Sequence, residues 1–479
     1  MYIMYNTLFV LGFGEFITAM PSAEDRLLTN IFEGYNSLIR PVQNASSDPI
    51  EVFFSLAFVL LINVDEKNQI MQTNVWPTMK WNDYQMRWDP RDYDGIQTIR
   101  VPPDKVWLPD IVLFNNADGN YLVSFYSNVV VEHTGEMLWV PPAVYKSSCL
   151  IDVEFFPFDE QACLLTFGSW TFRKDELRIN YLSGKRHVEL NDYLPSGVWD
   201  LMDAPGILSD DRSRISYQIK IRRKALFYTV ILIMPTVLMA FLSMMVFYLP
   251  AESSEKITLA ISILLALVVF LLVVSKILPP TSSTIPLMAK YLLMTFIMNM
   301  ITIMVSVIII NVYFRGPATH MMPQWVKTIF LKYLPIFFAM QRPESTQQNF
   351  RREQQSLRSA FKTIFKKAEN IKNHQKQTVK RETSQTEEKL SSEAEKAIEA
   401  IEYITTHLTQ DNNYKRQREE WMFVSVVIDR LLLYLFFAVT TGGTMGILLS
   451  APNVFEHVDQ NLVIEKLKKQ ATEEMLNFV

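Results

Sequence analysis

The chain has 479 residues and a formal net charge of −4; 49% of its residues are hydrophobic and 20% are charged. This length is enough for two or three domains, and the small net charge gives no general reason to expect nucleic acid as a partner. Two cysteines exclude a disulfide-rich scaffold and a zinc site built from several cysteines, but they allow one disulfide in an oxidising compartment.

The N-terminus, residues 1–22, resembles a cleaved secretory signal because an apolar run is followed by small residues. The run has no basic start and is followed by Glu15, so an ordinary buried helix is the alternative. A helix is expected at residues 24–38. Asn44 begins an Asn-Ala-Ser glycosylation signal, which is used only in a segment outside the cell.

The segment that follows has the pattern of β-strands. Apolar and polar residues alternate at 121–125 and at 218–222. Turn signals recur between such runs, for example at Gly95, Gly119 and Gly135. Many short strands separated by turns indicate an extracellular antiparallel β-sandwich over residues 23–224.

Four apolar stretches are long enough to cross a membrane: residues 225–250, 257–274, 285–314 and 423–450. A helix needs roughly 20 residues to cross about 30 Å of hydrocarbon. Buried helices of a large soluble core are the alternative, but three of the stretches are crowded into one short segment. The sequence therefore predicts an α+β membrane protein, in which the β-sandwich precedes a four-helix transmembrane bundle with spans at 225–314 and 422–450.

The connection at residues 315–421 is rich in lysine and arginine, which places it in the cytosol. Four crossings then put the N-terminus and the tail at 451–479 outside the cell. Within the connection, the polar composition predicts disorder over residues 340–388. Helical spacing of apolar residues predicts an amphipathic helix near 393–410 that leads into the fourth span.

Charged residues also lie at the ends of two spans. A basic cluster at residues 220–224 would lie at the outer end of the first span, where its long side chains can reach the headgroups. Asp429 and Arg430 lie at the cytosolic edge of the fourth span and are expected to pair with each other or to extend toward the headgroups.

The two cysteines, Cys149 and Cys163, enclose thirteen residues. Closing such a loop contributes about 3 kcal/mol in the chain-entropy description. The centre of the loop, residues 155–159, is apolar with one acid, so in an outer domain it is expected to pack against another surface. From spacing alone, a purely structural disulfide is an equally good interpretation.

The second apolar stretch carries a stripe along one helical face, because its members recur at steps of four, three, four and three. The stripe, with an acid at its inner end, consists of Glu255, Thr258, Ser262, Leu265, Val269 and Leu272. It is polar at the cytosolic end and apolar in the middle, as expected of a pore that closes by dewetting at Leu265 and Val269. A helix packed against lipid or protein is the alternative, since the hydroxyls can also bond to their own backbone.

These motifs together resemble those of the pentameric Cys-loop receptors, whose signature is thirteen residues between two cysteines with Phe-Pro-Phe-Asp inside. The runs at 107–110, 115–119 and 168–171 are similar to those of nicotinic acetylcholine receptors, and most similar to nematode muscle subunits of the levamisole-sensitive type. The resemblance covers nearly the whole chain. It implies five subunits around a pore, with agonist sites between subunits, in a postsynaptic or neuromuscular plasma membrane.

The resemblance also implies which residues face the agonist, and aromatic faces suit a quaternary ammonium. The complementary side would consist of one aromatic residue and three apolar companions: Trp76, Val130, Leu138 and Val140. Phe114 and Trp170 map to the principal side. The other tryptophans, at 81, 88, 107 and 139, are expected to belong to the core.

Departures from the family pattern indicate a non-alpha subunit. The stretch at 199–210 lacks the adjacent cysteines and the tyrosines of principal-type subunits, and Phe114 stands where those subunits usually have tyrosine. The principal face is therefore interpreted as vestigial. The resemblance then predicts a heteropentamer with principal-type nicotinic subunits, in which acetylcholine or a similar agonist binds against Trp76.

Glu255 favours a cation channel, because related anion channels lack this acid. Lys276 at the outer end makes that end less attractive to cations than in subunits with an acid there. An anion-selective receptor subunit and a purely structural subunit remain as alternatives. No enzyme motif, cofactor site or metal site is predicted, and the expected partners are the agonist, other subunits and the lipid bilayer, without nucleic acid.

Overall fold

The computed structural model describes residues 22–43, 49–253, 255–280, 284–315, 322–340, a few positions between 355 and 367, and 384–476 except 453, 455 and 457. Asn44, residues 1–21 of the predicted signal and most of the stretch predicted to be disordered lie outside these residues. The chain forms two compact units, one of residues 1–228, 275–287 and 451–479, and one of residues 229–274 and 288–450.

The first unit begins with helix α1, Ala23–Phe32, which is shorter than the helix expected at 24–38. The Ser22 side chain accepts a hydrogen bond from the Asp25 amide and caps its start. Gly34 follows its end with a φ of +81°, a left-handed conformation that glycine adopts without strain and that stops a helix. Local backbone preference at Gly34 therefore overrides the helical pattern beyond it.

Twelve strands form the two sheets of this unit within the described residues. They are β1 Ile50–Asp65, β2 Ile70–Asn82, β3 Thr98–Val101, β4 Ile111–Leu113, β5 Val129–Glu132, β6 Glu136–Trp139, β7 Ala143–Ser148, β8 Glu160–Ser169, β9 Leu177–Tyr181, β10 Trp199–Asp203, β11 Gly206–Leu208 and β12 Arg214–Arg223. One sheet has the order β3-β5-β6-β2-β1-β9, with β7 also paired to β2, and the other has the order β10-β12-β8-β4, with β11 paired to β12. The predicted β-sandwich is thus confirmed, with a parallel β1–β9 pair among antiparallel ones.

Aromatic side chains join the two sheets. The ring of Phe54 on β1 lies 5.1 Å from that of Phe167 on β8 and 6.2 Å from that of Tyr217 on β12. All three residues are buried, so the alternation of the strands turns these rings into the core. Of the tryptophans expected in the core, those at 81, 107 and 139 are buried, whereas Trp88 is half-buried and donates its indole N–H to the Ile96 carbonyl.

The predicted disulfide joins Cys149, just after β7, to Cys163 within β8, and both cysteines are buried. The loop that it closes, residues 150–162, therefore leaves and re-enters the sandwich at one point. Leu150 on this loop is 83% exposed, whereas Phe156 is fully buried.

Among the described residues, four helices are long and apolar enough to cross a membrane: α2 Leu226–Met245, α3 Glu255–Ile277, α4 Leu287–Tyr313 and the Glu399–Leu448 part of a longer helix. The predicted spans are thereby located, although α2 ends before residue 250. A π-helical turn, Thr229–Ile233, precedes Pro235, which has no N–H to donate. The Thr236 hydroxyl donates to the Leu232 and Ile233 carbonyls beside this break.

Between α4 and the last span, a short helix α5 runs through Gln324–Thr328, the π-turn Ile329–Tyr333 and Leu334–Phe337. Helix α6, Ser384–Leu448, is then continuous over 65 residues. It includes both the amphipathic helix expected near 393–410 and the fourth span, because no glycine or proline interrupts residues 384–441. The tail at 451–479, for which the sequence predicted no structure, contains a further helix, α7 Gln460–Leu476.

Candidate functional site

The residues proposed for the complementary face lie together on one face of the larger sheet. Along β2, half-buried positions alternate with buried ones, and Trp76 is one of the half-buried set. Val130 pairs with Leu138 across β5 and β6, and Leu138 pairs with Lys80 of β2. Val140 continues the same alternation two residues after Leu138, and all four predicted residues are half-buried. The sheet therefore presents an aromatic and three aliphatic side chains on the face turned away from its core.

The proposed principal-face residues also meet. The Phe114 and Trp170 ring centroids are 5.7 Å apart, and Tyr121 lies on Trp170 at 5.6 Å. Trp170 is 60% exposed, which is unusual for so large an apolar side chain. Tyr121 was not singled out in the sequence, although it lies two residues after the 115–119 run. These three rings form an exposed aromatic platform.

Two of the family-like runs in the sequence hold this platform. The Asp110 carboxylate accepts hydrogen bonds from the Ser169 hydroxyl and from the amide and hydroxyl of Thr171. The Trp170 amide donates to the Asp110 carbonyl at 3.1 Å. The runs at 107–110 and 168–171 thus bind each other, and the contact fixes the backbone from which Trp170 projects.

A cation of the chain itself covers part of the platform. The Arg214 guanidinium carbon lies 4.2 Å from the Phe114 ring centroid, a cation–π distance. Arg214 pairs with Gly168 across β12 and β8. A Cβ at Gly168 would lie 2.7 Å from Phe114 and 3.1 Å from Arg214, so only glycine allows this approach. Sequence reasoning missed Arg214, because nothing in its local sequence shows that β12 brings it over Phe114.

The connection between β10 and β12 carries serine and aspartate where principal-type subunits carry cysteine and tyrosine. The hydroxyls of Ser209 and Ser213 donate to the Asp211 carboxylate. These hydrogen bonds lower the pKa of Asp211 to about 2. The end of this hairpin is therefore a negatively charged turn without an aromatic side chain.

The basic cluster at the end of β12 is paired with acids, which differs from the expected extension toward headgroups. Arg222 lies 2.5 Å from Glu160 and 3.0 Å from Glu456, and Lys224 lies 3.4 Å from Asp200. Lys220 lies 3.6 Å from Asp203. The cluster is therefore largely neutralised by acids of the same unit.

Arg223 ties β12 to the disulfide loop. Its guanidinium is 1% exposed and lies 2.7 Å from both Asp159, inside the loop, and Glu66, after β1. It also lies 4.2 Å from the Trp199 ring centroid and 5.0 Å from that of Phe156. Burial alone would lower the pKa of Arg223, but the hydrogen bonds and charges of Asp159 and Glu66 raise it above its usual value.

The disulfide loop makes a further contact within the same unit. The Leu287 amide, at the start of α4, donates to the Glu154 carbonyl at 2.8 Å. The Tyr228 ring lies 5.1 Å from that of Phe156. The loop therefore contacts residues at the beginning of α2 and of α4, as its apolar centre predicts.

The stripe predicted to line a pore lies on the exposed side of α3. Its six members are all exposed: Glu255, Thr258, Ser262, Leu265, Val269 and Leu272. The buried residues of α3 are Lys256, Ala260, Ile263, Leu267 and Val274, which form the opposite side. Three large apolar side chains on this side, Leu265, Val269 and Leu272, are each more than half exposed. The Ser262 hydroxyl donates to the Leu259 carbonyl, as the alternative interpretation allowed.

Lys256 and Asp429 form a buried ion pair in the second unit. The Lys256 ammonium is fully buried and lies 2.6 Å from the Asp429 carboxylate. The prediction that Asp429 pairs with Arg430 or extends toward the headgroups was therefore wrong, and Arg430 instead lies 4.9 Å from the Tyr248 ring centroid. Because Lys256 is turned inward and paired, it does not neutralise the exposed Glu255 beside it.

The chain has a β-sandwich with a disulfide loop, followed by helices, one of which exposes a stripe that changes from polar to apolar. This combination defines a subunit of a ligand-gated ion channel. Residues 24–225 match the neurotransmitter-gated ion-channel ligand binding domain, and residues 232–448 match the neurotransmitter-gated ion-channel transmembrane region. The chain belongs to this family of membrane-spanning receptors, which are not enzymes. The resemblance to Cys-loop receptors is thereby confirmed.

Several relatives show which receptors within this family the chain resembles. The chain is 84% identical over 463 residues to the acetylcholine receptor subunit beta-type acr-3 of Caenorhabditis elegans, covering 95% of each chain. It is 57% identical to the beta-type subunit unc-29 (93% of this chain and 92% of the relative) and 55% identical to the beta-type subunit lev-1 (93% and 90%), both of the same organism. The similarity to nematode nicotinic subunits expected from the sequence is confirmed.

Proposed function

We propose that the chain is a non-alpha subunit of a heteropentameric acetylcholine-gated cation channel. It supplies the complementary face of an agonist site and one of five pore-lining helices. The observation that carries the proposal is the distribution of side chains on α3. All six stripe residues are exposed, while Lys256, the one cation of the inner turn, is buried against Asp429.

The complementary role of this subunit is supported by the sheet face that contains Trp76. Trp76 offers an electron-rich ring, and Val130, Leu138 and Val140 offer an apolar surround on the same face. Such a surface suits a quaternary ammonium, which is held by aromatic faces and apolar contact. The 84% identical relative is a beta-type acetylcholine receptor subunit, which supports acetylcholine as the agonist.

The non-alpha assignment is supported by the principal face. The ring centroids of Phe114 and Trp170 lie 5.7 Å apart, but Arg214 lies over Phe114 and the neighbouring hairpin has a negatively charged turn at Asp211. A second cation at this platform would meet the positive charge of Arg214 at short range. A homopentamer that responds to acetylcholine is therefore not expected.

Cation selectivity is supported by Glu255, since five copies would form a ring of negative charge at the inner mouth. Lys256, the cation next to Glu255 in the sequence, is fully buried and so does not offset the negative charge of that ring. A purely structural subunit would not require an aromatic complementary face at Trp76. An anion-selective subunit and a purely structural subunit are therefore disfavoured.

The remaining parts of the proposal concern the position of the chain in the membrane. We infer that residues 1–22 are a signal peptide, that both termini are extracellular and that Asn44 carries a glycan. A postsynaptic or neuromuscular plasma membrane follows from a role in acetylcholine signalling. Glycosidase treatment of wild-type and Asn44→Gln chains tests the orientation, because a glycan is attached only to a translocated segment.

Voltage-clamp recording tests the function directly. The chain is expressed alone and together with principal-type nicotinic subunits, and acetylcholine is applied. We expect current only on co-expression, reversing near the cation equilibrium potential. Robust current from the chain alone would contradict the non-alpha role, and reversal at the chloride potential would contradict cation selectivity. Glu255→Gln in the co-expressed receptor should reduce conductance, whereas Glu51→Gln, which removes an exposed acid on β1, is the control that should not.

A further inference from the structure

Helix α7, Gln460–Leu476, belongs to the same compact unit as the β-sandwich. Its buried and half-buried side chains recur at helical spacing on one face and include Val463, Ile464, Leu467, Ala471 and Glu474. The Gln460 amide group donates to the Leu201 carbonyl of β10 at 3.2 Å. The helix is therefore docked along strand β10.

The C-terminal end of α7 is held by a carboxylate clamp. The Glu474 carboxylate accepts the backbone N–H groups of Arg186 at 2.9 Å and of His187 at 3.3 Å. It also lies 2.8 Å from Nδ1 of the His187 ring. Three donors thus converge on one carboxylate, and hydrogen bonds to an ionised acceptor are the stronger kind.

The other side of the His187 ring faces a second acid. Its Nε2 lies 3.9 Å from the Asp203 carboxylate of β10, and Asp203 lies 3.6 Å from the Lys220 ammonium of β12. Of the neighbouring cations, Arg186 has an exposed side chain and Lys185 pairs with Glu189 at 2.6 Å. The ring therefore lies between carboxylates of α7 and β10, with one lysine behind the second carboxylate.

The residues held by Glu474 contact the turn between β10 and β11, where the β11–β12 hairpin begins. The Gly206 amide donates to the Arg186 carbonyl, and the Val188 amide donates to the Ala204 carbonyl. His187 itself pairs with Pro205. Residues 186–188 thus connect Glu474 to the turn between β10 and β11, and β12 leads from this hairpin into α2.

We propose that α7 is a proton-sensitive strap, fastened to the β10–β11 corner of its own chain by protonation of His187. A neutral ring has one N–H and can donate to one acid only, whereas the protonated ring donates from both nitrogens, to Glu474 and toward Asp203. Histidine is the side chain that ordinarily changes charge between pH 5 and 8. The docked helix offers the protonated ring a carboxylate on either side, whereas the released helix leaves it Asp203 alone, so we expect docking to strengthen as the pH falls.

Thiol accessibility tests the strap independently of channel activity. Leu467, which is 6% exposed, is changed to cysteine, and in a second variant Ala471, which is half-buried, is changed instead. Cys149 and Cys163 are disulfide-bonded, so the new cysteine is the only free thiol of this chain. The full chain is co-expressed with principal-type subunits, purified in detergent through a tag on this chain, and treated with a maleimide at pH 7.5 and pH 6.0.

Each modification rate is divided by that of Leu462→Cys, because Leu462 is 65% exposed on the same helix and its cysteine reports the direct effect of pH on thiol reactivity. We expect this ratio to fall about fivefold on acidification, which corresponds to about 1 kcal/mol of additional docking free energy. The fall should disappear in the background of His187→Gln, which keeps a donor but does not titrate. A ratio that does not change with pH, or a change that persists in His187→Gln, would overturn the proposal.

Discussion

In the proposed function, Arg214 and Lys256 each influence the role of a surface through one side chain. The Arg214 guanidinium lies 4.2 Å from the Phe114 ring centroid and leaves a positive charge on the proposed principal face. Lys256 has the opposite effect, because its burial against Asp429 removes a positive charge from the exposed stripe of α3. At the scale of the residue, function therefore depends on where a cation is placed as much as on which residues are present.

Trp76 and Trp170 allow a paired prediction. In receptors co-expressed with principal-type subunits, Trp76→Ala should raise the acetylcholine concentration for half-maximal current roughly tenfold, because a cation–π contact is lost. Trp170→Ala should change it by less than about twofold, because the principal face of this chain does not hold agonist. Concentration–response recordings at equal surface expression measure both. An equal effect of the two substitutions would contradict the assignment of the faces.

Leu265 provides a prediction for the gate. Leu265 is 62% exposed in the middle of the stripe, so in a ring of α3 helices it would form an apolar constriction. Leu265→Ser should wet this constriction, raise the resting current and lower the agonist concentration for half-maximal current about tenfold or more. Leu267→Ser is the matched control, because Leu267 is buried on the opposite side and its substitution should instead lower expression. Unchanged resting current and sensitivity in assembled Leu265→Ser receptors would refute the gate.

Among elements, the contact between α3 and α6 depends on a buried charge pair. Asp429→Asn should leave the fully buried Lys256 ammonium without its counter-ion, at a cost of about 3–5 kcal/mol. We expect a strong loss of assembled receptor at the cell surface, measured by surface biotinylation. Lys256→Met combined with Asp429→Leu should restore much of the assembly, because an apolar pair of similar volume often replaces a buried ion pair without loss. Failure of Asp429→Asn to reduce assembly would show that the pair is dispensable.

The disulfide loop and β12 form a second connection between elements. Arg223 is almost fully buried between Asp159 and Glu66. Asp159→Asn and Arg223→Gln should each impair gating or assembly, and the double substitution should cost less than the sum of the two, because both single changes remove the same contact between Asp159 and Arg223. Currents and surface expression of the two single variants and the double variant, each compared with the wild type, provide a double-mutant cycle. Strict additivity would mean that the two side chains are not coupled.

At the scale of the whole molecule, the proposed function makes the chain depend on other subunits. The chain has an aromatic residue at the proposed complementary face, Trp76, a proposed principal face covered by Arg214, and a helix whose apolar stripe is exposed within the single chain. Exposed apolar surface of this kind is expected to be buried by neighbours in the assembly.

The number of copies of this chain in each receptor can be counted. If the chain carries a fluorescent tag and is co-expressed with principal-type subunits, photobleaching of single receptors should show fewer than five steps, because other subunits fill the remaining places. Expressed alone, the chain should give little pentamer at the surface. Receptors with five bleaching steps that respond to acetylcholine would contradict the heteromeric assembly.

Much of this architecture could be predicted from the sequence. The spans followed from the length of four apolar runs, and the sandwich followed from turns and strand alternation. The alternation at 218–222 lies within β12, but the prediction of a strand at 121–125 was wrong. The stripe on α3 followed from spacing alone, because 3.6 residues per turn determine which side chains share a face. The start of α1 was also close to the prediction, since the cap at Ser22 depends only on neighbouring residues. The end of α1 was predicted too far along the chain, because the backbone at Gly34 adopts a left-handed conformation that stops the helix.

The composition and periodicity of the sequence by themselves determined the class of fold, the disulfide pair and the face of α3, because each depends on local spacing or on only two cysteines. Only the tertiary structure decided that Arg214 covers Phe114, that Lys256 pairs with Asp429 and that Glu474 clamps His187. These partners are separated by 100, 173 and 287 positions in the chain. Strand register and helix packing bring them together, and neither can be deduced from the residues next to each partner.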